Sequence, residues 1–251
     1  MGLFDLFKAA PKKGDKGDKK SNPASKWAER AGDKRAQNYD RQEALQALSD
    51  LGTPEAAAAI LKRFTFVIDP SITDQEEKEV AFRGVLAAGM GAIEPVRTFA
   101  ARAESLAWPM RILKELVDDD AYVEELVLWL SKWDTEYAKF IDPKIQILVA
   151  LEDHKHEKIA AAVEPFLDDV NEPARFHAVA TLLAQEDAVI VPRLLKVMED
   201  EESVRVKNKI ADGIALRAWS VPEELREPMR KVLPYAYSID AEGHLKKRSE
   251  A

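Results

Sequence analysis

The stretch Val191-Pro192-Arg193-Leu194-Leu195-Lys196-Val197-Met198-Glu199-Asp200-Glu201-Glu202-Ser203-Val204-Arg205 decides how the rest of the chain is read. A proline at its start, where a missing N–H costs a helix nothing, precedes Leu194, Leu195, Val197 and Met198 at helical spacing. The acidic run after Met198 reads as a turn. Glu202-Ser203-Val204-Arg205 then opens a second helix with an acid, a small turn residue and a basic residue.

Reading outward, the same opening recurs at Trp108-Pro109-Met110-Arg111 and Glu172-Pro173-Ala174-Arg175, and in shorter form at Asp142-Pro143-Lys144. Positions 109, 143, 173 and 203 are separated by 34, 30 and 30 residues. The proline-led helix recurs at Ile93-Glu94-Pro95-Val96, Val163-Glu164-Pro165-Phe166 and Leu225-Arg226-Glu227-Pro228-Met229. Toward the N-terminus, Ala44, Leu45, Leu48 and Leu51 keep helical spacing until Gly52 stops the helix, and Thr53-Pro54-Glu55 starts the next. No stretch alternates with period two, so no strand is expected and the fold class is all-α. Helix pairs repeating every 30–40 residues are the mark of an α-solenoid, because one pair cannot bury its own apolar face. First helices near 40, 75, 109, 143, 173 and 203 predict six pairs over residues 39–234. Residues 1–20 read as a short apolar leader with a Lys/Gly-rich flexible tether, and 21–38 as a linker or capping helix. Residues 235–251 read as an unanchored C-terminal tail.

The stretch from Val191 to Arg205 resembles the junction between consecutive HEAT-like repeats of the PBS-lyase type, and Ala44 to Ile60 resembles the turn within one repeat. The resemblance covers residues 39–234 and implies a right-handed solenoid whose second helices line a concave, partner-binding surface. The 72–103 repeat lacks the valine-arginine opening, and the 106–133 repeat lacks the second-helix proline.

Composition excludes several classes. With 46% hydrophobic residues the chain can build a core, and without cysteine it has neither disulfides nor thiolate metal sites. No apolar run reaches the roughly 18 residues of a membrane span, and no secretory signal is recognisable. A cytoplasmic location is expected. Charge is uneven: residues 1–38 carry +5, residues 39–234 carry −13 and the last 17 balance.

Catalytic constellations are scarce. His154, His156, His177 and His244 have no i, i+4 partner for a metal, and neither Gly89-Met90-Gly91 nor Gly14 and Gly17 match a phosphate loop. Asp118-Asp119-Asp120 and Asp168-Asp169 read as helix caps rather than a calcium loop. No metal, cofactor or catalytic residue is expected.

Trp129 and Trp133, at i, i+4 with Lys132 between them, are candidate partner-binding anchors, and Tyr137 extends their face if the helix continues. Packing against the next repeat is the competing reading. A second candidate surface is a ridge of Lys62, Arg63, Arg97, Arg193, Lys196, Arg226 and Arg230, set against solvated faces balanced by acids. In the leader, Leu3, Phe4, Leu6 and Phe7 form an apolar patch that can dock on a partner or make weak contact with an anionic membrane.

The function expected is a non-enzymatic interaction module or scaffold binding a protein or peptide on the concave face. A second class is suggested by HEAT-like alkylpurine DNA glycosylases, which Trp129, Trp133 and Asp134 superficially resemble, with Arg97 and Arg193 toward phosphates. The acidic array opposes nucleic acid. A bilin lyase-like subunit is a third alternative, implied by the repeat type alone.

Overall fold

The computed structural model describes residues 24–248. The leader residues Leu3, Phe4, Leu6 and Phe7 and the tether to residue 20 lie outside the described residues. The chain is mostly helical. After α1 (Ser25–Ala31), first helices α2 (Asn38–Leu51), α4 (Ser71–Leu86), α6 (Ala107–Leu116), α8 (Asp142–Glu152), α10 (Glu172–Ala184) and α12 (Val204–Leu216) start within five residues of the expected positions. Between them lie α3 (Pro54–Leu61), α5 (Ile93–Ala100), α7 (Asp119–Leu130), α9 (Glu157–Val163), α11 (Val191–Asp200) and α13 (Glu223–Val232).

Local chemistry sets the ends. Thr53 Oγ1 accepts from the Ala56 N–H at 3.2 Å, and Pro54 occupies the first turn of α3. Asp118 accepts from the Ala121 N–H at 2.9 Å and Ser203 from the Val206 N–H at 3.3 Å, capping α7 and α12. Gly52 ends α2 with φ of 57°, a left-handed conformation that suits glycine.

Alternate helices stack. α2 packs on α4 and α4 on α6; α8 packs on α10 and α10 on α12. In the other rank α3 meets α5, α7 meets α9 and α11 meets α13. Leu45, Leu48, Ile60, Leu126, Leu130, Leu148, Leu194 and Leu195 are fully buried between these layers. Each such side chain contributes about 1.5–3 kcal/mol relative to exposure. The closest approach is at Gly213 of α12, where a Cβ would stand 2.2 Å from Leu183 Cδ1 of α10.

Two sets of ion pairs, buried except for the half-buried Arg175, tie helices together. Glu77 on α4 receives Arg41 at 2.9 and 3.0 Å and Arg63 at 2.7 Å, while Asp74 receives Arg63 and Lys78, both at 2.7 Å. Arg63, expected on an exposed ridge, is fully buried because it follows α3 into the α2–α4 seam. Farther along, Lys144 on α8 donates to Asp169 at 2.5 Å, in the turn before α10. Arg175 on α10 grips Glu201 at 2.7 and 2.8 Å, in the turn before α12. Asp169, read as a cap, is thus half of a buried ion pair.

The expected unanchored tail is a β-hairpin, and the expectation of no strand is corrected with it. β1 (Tyr237–Ile239) pairs antiparallel with β2 (Leu245–Lys247), Ile239 facing Leu245. Tyr237, Ile239 and Leu245 are buried against the last helices, and the Tyr237 hydroxyl hydrogen-bonds Asp212 of α12. Arg226, another expected ridge residue, instead holds the hairpin turn by donating to the Ala241 and Glu242 carbonyls at 3.0 Å.

Candidate functional site

The strongest site begins at the end of α7. Trp129 is only 7% exposed, and its indole N–H donates to Glu125 Oε1 at 2.8 Å. Both Glu125 oxygens also receive Arg97 of α5, each at 2.7 Å. The Arg97 hydrogen bonds hold the Glu125 carboxyl below the usual glutamate range, against the opposing effect of burial. Arg97 is correspondingly held charged, mainly by Glu125. This chain of contacts fixes the Trp129 ring in place. Trp129 therefore belongs to the core and forms a wall of the site at once.

α7 stops at Leu130, so Trp133 lies in the following turn rather than on a shared helical face. Tyr137 does not extend that face: it stands in the 131–141 connection, 73% exposed. The Ser131 hydroxyl closes the helix end on the Leu128 carbonyl at 2.8 Å. Trp133 is half-buried, with the Lys144 ammonium 5.8 Å from its ring centre.

Between these elements lies a cavity of about 540 Å³, walled by Trp129, Trp133, Leu128, Leu106, Ile147 and Phe140. Arg97, Arg102 and Lys132 also line it. Phe140 at the mouth is 69% exposed. A second cavity of about 890 Å³ adjoins it, sharing Arg102, Ala103 and Glu104. Its aromatic lining is Phe64, Phe99 and Trp108, the Phe64 and Trp108 rings stacked at 4.9 Å. Together they form a groove with Arg102 and Glu104 where the two meet. Arg102 and Lys132 are exposed and have no carboxylate partner among the described residues. Glu55 and Glu104 likewise have no basic partner there.

Of the expected partner-binding residues, the structure brings Trp129, Lys132, Trp133 and Arg97 to one cavity and leaves three elsewhere. Arg193 pairs with Asp168 and Glu164, Lys196 with Glu199 at 2.8 Å, and Arg230 with Glu227. Sequence reasoning missed Phe64, Phe99, Arg102 and Phe140, which sit at helix ends and in connections where periodicity carries no signal.

The remaining candidates have local duties. His156 accepts from the Lys158 N–H at 3.1 Å at the start of α9, and Asp134 accepts from the Glu136 N–H at 3.2 Å. His244 lies in the hairpin beside Asp240, and His154 packs on Tyr122 at 5.4 Å. Among the described residues no three His, Cys, Asp or Glu side chains converge as a metal site, and no helix is long and apolar enough to cross a membrane. Comparison with family models, curated proteins and solved structures finds no match.

Proposed function

We propose that this chain is a non-enzymatic, cytoplasmic interaction module of the HEAT-like type, a right-handed solenoid of six helix pairs with its docking surface at the paired aromatic cavities. The repeat spacing, the alternate stacking of helices and the matching ties Lys144–Asp169 and Arg175–Glu201 support the architecture. The observation that carries the function is the open cavity between Trp129, Trp133 and Phe140, whose mouth bears exposed apolar side chains beside Arg102 and Lys132, cations without a carboxylate partner among the described residues. Rigid aromatic walls favour a bulky apolar anchor, and the cations favour a neighbouring carboxylate. The partner is therefore a protein segment with an aromatic or large aliphatic residue next to an acid. Against nucleic acid stands the net −13 of residues 39–234.

Selection from a displayed random-peptide library tests this, using the intact chain and a Leu128→Glu/Phe140→Glu variant altered only at exposed positions. The intact chain enriches a consensus with an apolar anchor beside an acid, and the variant, with an unchanged thermal melt, does not. An intact chain that enriches nothing, or a consensus that survives in the variant, overturns the proposal.

A further inference from the structure

The groove has a chemistry that this chain itself carries. Two aromatic-lined cavities lie side by side and share Arg102, Ala103 and Glu104, of which Arg102 presents an exposed guanidinium with no carboxylate partner among the described residues. The sequence Leu3-Phe4-Asp5-Leu6-Phe7 places two apolar pairs on either side of a single carboxylate. Sign and order match: apolar, acid, apolar against aromatic cavity, cation, aromatic cavity.

The connection is long enough. Residues 8–23 separate this segment from the described chain, and sixteen residues can span up to about 55 Å. α1 packs on α3, whose residues Glu55, Ala58 and Leu61 line the nearer cavity. The seven residues of α1 add only about 10 Å to the path. A short connection gives an effective concentration of roughly millimolar, so a weak intrinsic contact suffices for high occupancy.

We propose that Leu3–Phe7 docks in this groove within the same molecule, with Phe4 and Phe7 directed to the two cavities and Asp5 to Arg102. The inference rests on the groove being the docking surface proposed above and adds to it a built-in competitor. An external partner must displace the leader, and its own binding segment repeats the pattern of apolar residues flanking an acid.

The absence of cysteine permits a direct test on the full chain. Gly2→Cys carries a single nitroxide, and the five tryptophan indole N–H resonances report where it goes. The indole signals of Trp108, Trp129 and Trp133 lose intensity relative to the reduced label, while Trp219 near the C-terminal hairpin keeps its own. Arg102→Asp, at an exposed position, removes the broadening, and Asp5→Arg in that background restores it. Broadening confined to Trp27, or unchanged by Arg102→Asp, overturns the proposal. So does broadening of equal strength between labelled and separately isotope-enriched molecules in a mixed sample, which would make the occupant a second copy. If the leader fails these tests while a library-selected peptide still binds at Trp129, docking by an external partner stands and only the internal competitor is lost.

Discussion

Residues 142–216 and residues 93–141 differ in how tightly their helices close: the first leaves a cavity of about 190 Å³ beside α10 and α12, whereas the second, with Pro143 and Ile147 of α8, walls one of about 540 Å³. In the first region a basic residue near the start of α8 and of α10 reaches forward to an acid in the turn before the next even-numbered helix: Lys144 to Asp169, Arg175 to Glu201. The two spacings, 25 and 26 residues, are nearly equal. Arg175 also donates to the Asp169 and Val170 carbonyls at 2.9 and 3.2 Å, so each tie clamps the turn as well as the helix. Arg111, two residues after Pro109, points backward instead, as Arg205 of α12 does toward Glu172. It pairs with Glu79 of α4 and lies over the Phe82 and Trp108 rings at 4.2 and 5.1 Å. Among the described residues no ion pair from α6 reaches the 131–141 connection, which is held instead by Lys144 on the Asp134 carbonyl at 3.1 Å and by the Val170 N–H on the Thr135 carbonyl at 2.9 Å. Forward ties accompany the smaller cavity, and the joint at α6, which makes none, borders the larger ones.

The comparison breaks most visibly at the buried ties. Lys144→Ala leaves Asp169 charged and buried, and should cost about 3–5 kcal/mol by urea denaturation. Replacing both partners, Lys144→Met with Asp169→Leu, should recover most of that loss. A small effect of the single change would mean that the tie does not hold the joint. Gly213→Ala tests the same region by overpacking, since the new methyl meets Leu183; a loss of about 1–3 kcal/mol is expected in the same assay.

Acid sharpens the contrast further. Burial pushes the Glu201 carboxyl up, but hydrogen bonds from Arg175 and the Ser203 N–H outweigh it and hold the group below its ordinary value of 4.5. A depressed carboxylate contributes stability that is complete above its unfolded pKa and is lost as pH falls through the folded one. Stability should therefore decline below about 4.5, and Glu201→Gln should flatten that limb of the pH profile. An unchanged slope would remove Glu201 from the account. The smallest effect belongs to Arg111→Ala, whose ion pair is exposed: about 1 kcal/mol or less, measured by thermal melting.

Much of the frame was legible because its signals are local. Prolines at 143 and 173 and the serine at 203 mark where α8, α10 and α12 begin, and Thr53 and Asp118 cap as their chemistry predicts. The hairpin was hidden because strands of three residues are too short to show a period, and its burial depends on Asp212 and Arg226 far from it in sequence. Spacing put Trp129 and Trp133 on one helical face; they do line one cavity, but because α7 ends at Leu130 and the chain beyond it turns, which the spacing does not show. The far wall of that cavity comes from Leu106, Phe140 and Ile147, brought there by three separate elements. Ridge residues misled for the same reason: the sequence shows that Arg63 and Arg193 are basic, not that Glu77 and Asp168 await them.

The central claim is that the aromatic groove, and no other face, receives a protein segment. The most direct measurement is titration of the intact chain with a peptide of the library-selected consensus while following the five indole N–H resonances. The account predicts saturable shifts of Trp108, Trp129 and Trp133, with Trp27 and Trp219 stationary. Shifts confined to Trp27 or Trp219, or no saturable change at the three groove tryptophans, would contradict it.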